Sequence, residues 1–135
     1  MNTKKEPLRT PISELGKYKL IDRISARFIS SNESTIQGIG DDAAVACFKE
    51  TLTVSAQKLS LEGTDFDLCY FPLKFVGYKT AIHAMGQVMA MNAVPLQLIV
   101  CAGVSQRFYV EDLETLFLGI EAAAKLYGAD VASVD

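Results

Sequence analysis

Two glycines come just before a pair of adjacent carboxylates in the stretch Gly38-Ile39-Gly40-Asp41-Asp42-Ala43-Ala44. Glycine lets the backbone approach a ligand closely, and carboxylate oxygens are ligands that Mg²⁺ prefers. The stretch is therefore a candidate for binding a divalent metal ion together with the phosphate groups that such an ion carries. A turn in which an aspartate caps local backbone amides explains the same residues, and spacing alone favours this simpler alternative.

The hydrophobic pattern on either side of this stretch predicts one mixed domain. The predicted element order is α, β, β, α, β, α, β, which indicates an α/β protein of the α+β type with helices packed on one face of a mixed sheet. The predicted helices cover residues 10–28, 74–91 and 110–127, and the predicted strands cover residues 43–48, 52–56, 96–104 and 129–134.

Charge and cysteine content exclude several classes of protein. The net charge of −3 argues against nucleic acid or an anionic membrane as the main partner. No uninterrupted apolar run reaches the roughly 20 residues that a membrane span needs, and residues 1–7 lack the apolar segment of a secretory signal. The widely spaced Cys47, Cys69 and Cys101 suggest neither a zinc site nor disulfides, and they predict buried free thiols in a cytoplasmic protein.

Several short segments, taken in order, carry a resemblance that no single motif would support. They are Ile12-Ser13-Glu14-Leu15, the stretch from Gly38 to Ala44, Leu61-Glu62-Gly63, Phe66-Asp67-Leu68, Gly77-Tyr78-Lys79, Ala90-Met91-Asn92-Ala93-Val94-Pro95 and Tyr127-Gly128. Together they resemble the N-terminal domain of the thiamine-monophosphate kinase family, which belongs to the superfamily of aminoimidazole ribonucleotide synthase. The resemblance covers nearly the whole chain from residue 9 onward.

The resemblance implies an ATP-dependent transfer of a phosphoryl group to thiamine monophosphate, with Mg²⁺ ions aligning the phosphates. It implies that Gly40, Asp41 and Asp42 contact nucleotide phosphates and that Asp41, Asp42 and Asp135 bind metal. It also implies a dimer in which the strands of two N-terminal domains join, and a C-terminal domain that completes the active site. The segment that matches the family's substrate loop contains Glu62, Gly63, Asp65 and Phe66.

The family's pattern changes at three charged or metal-binding positions and in its Gly-Gly-Asp-Thr turn, which reads Ser133-Val134-Asp135 here. Lys58 stands where the family has a metal-binding aspartate, Asp65 where it has a histidine, and Gln87 where it has another aspartate. Losing two anionic ligands and gaining a cation disfavours a cluster of divalent ions. We therefore expect weak or no binding of Mg²⁺ and ATP, and we expect the Lys58 ammonium to pair with Asp41 or Asp42 instead.

These features predict a flexible tail over residues 1–8 and one domain over residues 9–135, without the family's C-terminal domain. The leading interpretation is a kinase-like domain that is inactive on its own, and no residue is assigned as catalytic. The alternative is a regulatory or structural module that pairs through its sheet with a second copy or with a full-length kinase subunit. A third interpretation stays open, in which Asp41, Asp42 and Asp135 bind Mg·ATP weakly and a partner chain completes the chemistry.

Overall fold

The computed structural model describes residues 12–40 and 43–135. The helices and strands within these ranges confirm the α+β class, and the strands are divided between an antiparallel three-stranded sheet (β1-β2-β3) and a parallel pair (β4-β5). In chain order the elements are α1 (Ile12–Ser25), β1 (Thr35–Gln37), β2 (Ala44–Phe48), β3 (Thr51–Ser55), α2 (Leu73–Ala90), β4 (Gln97–Val100), α3 (Val110–Tyr127) and β5 (Asp130–Val134).

The hydrophobic core lies between α2, α3 and the parallel pair. Met85 of α2 is 1% exposed, and Ile120 and Ala123 of α3 pack in the same cluster. Leu98 of β4 joins this cluster, whereas its neighbour Ile99 is 81% exposed. Because successive strand residues point to opposite faces, the two helices cover one face of the parallel pair.

The three-stranded sheet is built on a tight hairpin. Lys49 and Glu50 form the two-residue turn between β2 and β3, and both have positive φ, at 48° and 69°. This is the backbone of a type I′ turn, whose twist matches that of the flanking strands. The sequence analysis did not predict β1, because a strand of three residues is too short to show a clear period-two pattern. Its pairing with β2 is also irregular, with a shift of register between Thr35 and Gln37.

Two predicted elements differ from those observed by more than one residue at an end. The first helix is interrupted by a kink at Gly16 (φ 71°, ψ 168°) and ends at Ser25 rather than at residue 28. The strand predicted over residues 96–104 is limited to Gln97–Val100, because β5 is also short and pairs with that stretch. The predicted tail over residues 1–8 lies outside the described residues, so the domain limits stay a prediction.

All three cysteines are free, as predicted, but the prediction that they are buried is wrong. Cys47 is half-buried, whereas Cys69 and Cys101 are exposed. Apolar neighbours in sequence misled the prediction, since Cys69 lies in a turn and Cys101 follows the last residue of β4. Across residues 12–40 and 43–135, no helix combines the length and apolar character needed to cross a membrane.

Candidate functional site

The structure describes Gly40 and Ala43, the residues on either side of Asp41 and Asp42. Gly40 is exposed and has a φ of 122°, which side chains disfavour and glycine accepts. Ala43 is buried just before β2. Asp41 and Asp42 lie outside the described residues, so contact of Gly40, Asp41 and Asp42 with nucleotide phosphates stays a prediction, and so does metal binding by the two aspartates.

Asp135 extends the pairing of β4 with β5. Its N–H donates to the Val100 carbonyl oxygen at 2.9 Å, and its own carbonyl oxygen accepts a hydrogen bond from the Ala102 N–H at 2.8 Å. The residue therefore lies at the carboxyl ends of two parallel strands, where open sheets of this kind bind ligands. No ion pair among the described residues involves its carboxylate, and its assignment as a metal ligand stays a prediction.

The predicted substrate loop, residues 61–66, is a closed turn. The Gly63 N–H donates to the Phe66 carbonyl oxygen and the Asp65 N–H to that of Leu61, each at 2.8 Å. Gly63 has a φ of 79°, and Glu62 and Phe66 form an isolated bridge. The structure therefore brings Glu62, Gly63, Asp65 and Phe66 together in one turn, and their contact with a substrate stays a prediction.

Lys58 pairs with a residue of this loop. Lys58 Nζ lies 2.8 Å from Asp65 Oδ1, and the Leu61 N–H donates to Asp65 Oδ2 at 2.9 Å. The hydrogen bond from Lys58 and then that from Leu61 hold the pKa of Asp65 below its ordinary value of 3.8. The sequence analysis placed the Lys58 ammonium against Asp41 or Asp42, which lie outside the described residues, and the partner that the structure shows is Asp65.

Lys79 ties the same loop to α2. Its Nζ donates to the Asp65 carbonyl oxygen at 3.3 Å and lies 5.2 Å from the centre of the Phe71 ring, within reach of a cation–π interaction. Nearby, the Thr80 hydroxyl donates to the Ser60 hydroxyl at 3.1 Å. The sequence analysis had no role for Lys79, because spacing along a helix does not reveal which loop folds back onto it.

A small cavity of about 30 Å³ lies between this loop and α2. Ser60, Asp65, Thr80 and the exposed His83 are among the polar residues that line it. A space of this size holds a water molecule or two and is far too small for a nucleotide. A ligand as large as ATP would therefore bind outside it.

Two of the three metal ligands that the resemblance implies, Asp41 and Asp42, lie outside the described residues. Within residues 12–40 and 43–135, no three His, Cys, Asp or Glu side chains are grouped closely enough to hold a metal ion. The Asp65 carboxylate forms an ion pair with Lys58, and the Asp67 carboxylate accepts a hydrogen bond from the Cys69 N–H at 2.8 Å. A hydrogen bond between the Cys69 thiol and the same Asp67 carboxylate raises the pKa of that thiol. The side-chain oxygen of Gln87 is buried, and no group in the described part of the chain donates a hydrogen bond to it.

Comparison with known proteins agrees with this fold. Residues 40–135 match the family model of the N-terminal domain of AIR synthase related proteins. The thiamine-monophosphate kinase of Bacillus subtilis (strain 168) is 26% identical over 122 residues, which is 90% of this chain and 37% of that kinase.

Two solved structures share the fold at low sequence identity. The structure described as AaThiL complexed with AMPPCP and TMP has a TM-score of 0.81 and 22% identity, over 95% of this chain and 39% of that one. Thiamine monophosphate kinase from Aquifex aeolicus has a TM-score of 0.69 and 19% identity, over 93% of this chain and 39% of that one. The chain thus spans well under half the length of these relatives. Because the family model matches most of its residues, the chain belongs to the AIR synthase related protein family, through that family's N-terminal domain.

Proposed function

We propose that this chain is a thiamine-monophosphate kinase-like domain that assembles with a second copy through its three-stranded sheet and does not transfer a phosphoryl group on its own. The likeness to thiamine-monophosphate kinases in sequence and fold supports the first part. The observation that carries the assembly is an apolar face of the sheet on which no described helix packs extensively.

This apolar face consists of four residues from β2 and β3. Val45 is paired with Val54, and Cys47 is paired with Leu52. Directly opposite residues of an antiparallel pair lie on the same face of the sheet, so the four form one patch. Leu52 is 67% exposed and the other three are half-buried. Among the described elements, no helix packs extensively on this sheet, although a sheet normally buries its apolar face against another layer.

A second copy of the chain provides such a layer. A two-fold arrangement sets the same patch of both copies against each other, as in most homodimers. β3 is an edge strand of the described sheet, so its outer side is open to further strand pairing. The net charge of −3 is small enough that two copies repel each other only weakly.

Sedimentation equilibrium of the native chain and of two lysine variants tests the assembly. Leu52→Lys places a charge on the apolar face, and Thr53→Lys places the same charge on the opposite side of the same strand, where Thr53 pairs with Ala46. We expect the native chain and Thr53→Lys to dimerise at micromolar concentration and Leu52→Lys to dissociate at least about tenfold more readily, because its ammonium would be desolvated. A monomeric native chain, or equal dissociation of the two variants, contradicts the proposal. Pairing with a full-length kinase subunit in place of self-association would support the regulatory alternative.

The absence of activity is tested by direct assay. It is supported by Lys58, which stands where the resemblance implies a metal-binding aspartate and whose ammonium pairs with Asp65. We expect the purified chain, given ATP, thiamine monophosphate and Mg²⁺, to form no thiamine diphosphate, with the Bacillus subtilis kinase as the positive control. Product formation at a rate proportional to the concentration of the chain would contradict this expectation.

Nucleotide binding without catalysis is the second candidate function. It is supported by the positive φ of Gly40 beside Asp41 and by the position of Asp135 at the ends of β4 and β5. Calorimetric titration of Mg·ATP into the native chain tests it, with Asp41→Asn and EDTA as controls. Saturable heat that both controls abolish supports binding, and no heat at millimolar nucleotide contradicts it.

A further inference from the structure

The carboxylate of Asp65 has both of its oxygens occupied by groups of this chain. Oδ1 accepts a hydrogen bond from Lys58 Nζ at 2.8 Å, and Oδ2 accepts one from the Leu61 N–H at 2.9 Å. The side chains of Lys58 and Asp65 are 26% and 31% exposed, so water screens the pair only in part. Hydrogen bonds between charged partners are the stronger ones in proteins. The Lys58 ammonium therefore fixes the position of the Asp65 carboxylate, and this carboxylate binds the Leu61 N–H at the start of the loop.

The backbone of Asp65 closes the rest of the turn. Its N–H donates to the Leu61 carbonyl oxygen at 2.8 Å, and its carbonyl oxygen accepts a hydrogen bond from Lys79 Nζ at 3.3 Å. The Gly63 N–H donates to the carbonyl oxygen of Phe66 at 2.8 Å. One residue thus joins the segment after β3, the loop itself and α2.

A divalent cation at this carboxylate would meet two ammonium groups of the protein. It would have to displace Lys58 from Asp65 and would be repelled by Lys79, whose Nζ contacts the same residue. The neighbouring Asp67 accepts a backbone hydrogen bond from Cys69. No group of three potential metal ligands forms here or elsewhere among residues 12–40 and 43–135. The lowered pKa of Asp65 agrees with a carboxylate that is already balanced by a cation.

We propose that the Lys58 ammonium, acting through Asp65, fixes the 61–66 loop in its closed form, so that the order of this loop does not depend on a divalent cation. The proposal goes beyond the proposed function and rests only on the geometry of the loop. A monomeric chain, or one that binds no nucleotide, would leave it untouched.

Hydrogen exchange at the amides of Leu61, Gly63 and Asp65 tests the proposal, since these N–H groups make the hydrogen bonds that close the loop. The native chain is measured in EDTA and in millimolar MgCl₂. We expect the same protection in both, because the cation of the loop is part of the protein. A saturable rise of protection with Mg²⁺ at these amides would overturn the proposal.

Three variants complete the test. Lys58→Met keeps the length of the side chain and removes its charge. We expect the protection of the Leu61 amide to fall at least about tenfold, because the variant loses the charged hydrogen bond that holds the Asp65 carboxylate in place. Lys58→Arg keeps the charge and should retain most of the protection. Lys125→Met removes the exposed ion pair with Glu121 on α3 and should leave the loop unchanged. Unaltered protection in Lys58→Met would contradict the proposal. If that variant fails to fold, the comparison of the native chain in EDTA and in MgCl₂ still tests whether the loop depends on a divalent cation.

Discussion

Gly119 of α3 lies so close to Lys74 of α2 that a Cβ atom on the glycine would overlap the lysine's carbonyl oxygen. The same Cβ would stand 2.8 Å from the backbone nitrogen of Tyr78, closer than real Cβ contacts come. On the other helix, a Cβ on Gly77 would overlap the carbonyl oxygen of Leu116. The helices α2 and α3 therefore touch backbone to backbone, and this crossing requires glycine at both positions.

Adding a methyl group at this crossing should destabilise the domain. We expect Gly77→Ala and Gly119→Ala each to lower the free energy of unfolding by about 2 kcal/mol, because the forced separation of the helices outweighs the better helix propensity of alanine. Gly86→Ala, also in α2, is the matched control, since its Cβ would come within 4 Å of no neighbouring atom of the described residues. That variant should gain up to about 1 kcal/mol. Urea unfolding measures all three, and equal effects at Gly77 and Gly86 would show that the crossing is looser than described.

The turn between β2 and β3 holds two residues in a conformation that neither favours. Lys49 and Glu50 have φ values of 48° and 69°, in the left-handed region that glycine and asparagine occupy readily. We expect Glu50→Gly to raise the free energy of unfolding by about 1 kcal/mol. Glu50→Ala, which removes the charge but keeps a Cβ, should give no comparable gain. Thermal unfolding of both variants separates backbone strain from charge.

The start of α3 has half of a capping box. The Asp112 carboxylate accepts a hydrogen bond from the Tyr109 N–H at 2.9 Å, while the Tyr109 residue is 75% exposed. Serine at this position would return a hydrogen bond from its hydroxyl oxygen to the first turn of the helix. We therefore expect Tyr109→Ser to raise the free energy of unfolding by up to about 1 kcal/mol. An unchanged or lower melting temperature would show that the ring packs usefully, and Tyr109→Ala controls for its removal.

The lowered pKa of Asp65 makes stability depend on pH in the acid range. The hydrogen bond from Lys58 places this pKa below the ordinary value of 3.8 that the unfolded chain has. The stabilisation is therefore fully present above that value and is lost as the pH falls through the folded-state pKa. We expect Asp65→Asn to be less stable than the native chain at neutral pH and the difference to close below pH 3.8. Urea unfolding over a pH series measures it.

Two comparisons make that measurement specific to the ion pair. Lys58→Met should show the same closing difference, because it removes the other partner of the pair. Glu121→Gln breaks the exposed pair with Lys125 on α3 and should differ little from the native chain at any pH. A difference between Asp65→Asn and the native chain that stays constant into strong acid would show that the pair contributes no pH-dependent stability.

The ion pair of Lys58 with Asp65 is a contact of the candidate site that could not be predicted from the sequence. The resemblance implied that Lys58 stands in place of a metal-binding aspartate, and we expected a salt bridge there. The sequence could not choose the carboxylate, because the choice depends on how the 61–66 loop folds back. Lys58 and Asp65 are only seven residues apart, yet they meet through a turn closed by Gly63 and by backbone hydrogen bonds. Lys79 was missed for the same reason, since it reaches the loop from a helix that follows it in the chain.

The sequence by itself determined the elements whose signals are local. The bounds of α3, Val110–Tyr127, follow from its apolar stripe and from Gly128, which ends the helix in the left-handed conformation at φ 68°. The strands β2 and β3 likewise follow from two short segments that the sequence analysis placed over residues 43–48 and 52–56, within one residue of their observed ends. Only the tertiary structure decided that the strands form two sheets, that Gly77 and Gly119 meet, and that Lys58 pairs with Asp65. Helix ends and tight turns are set by hydrogen bonds between near neighbours, whereas these contacts depend on the simultaneous packing of distant segments, which no local pattern encodes.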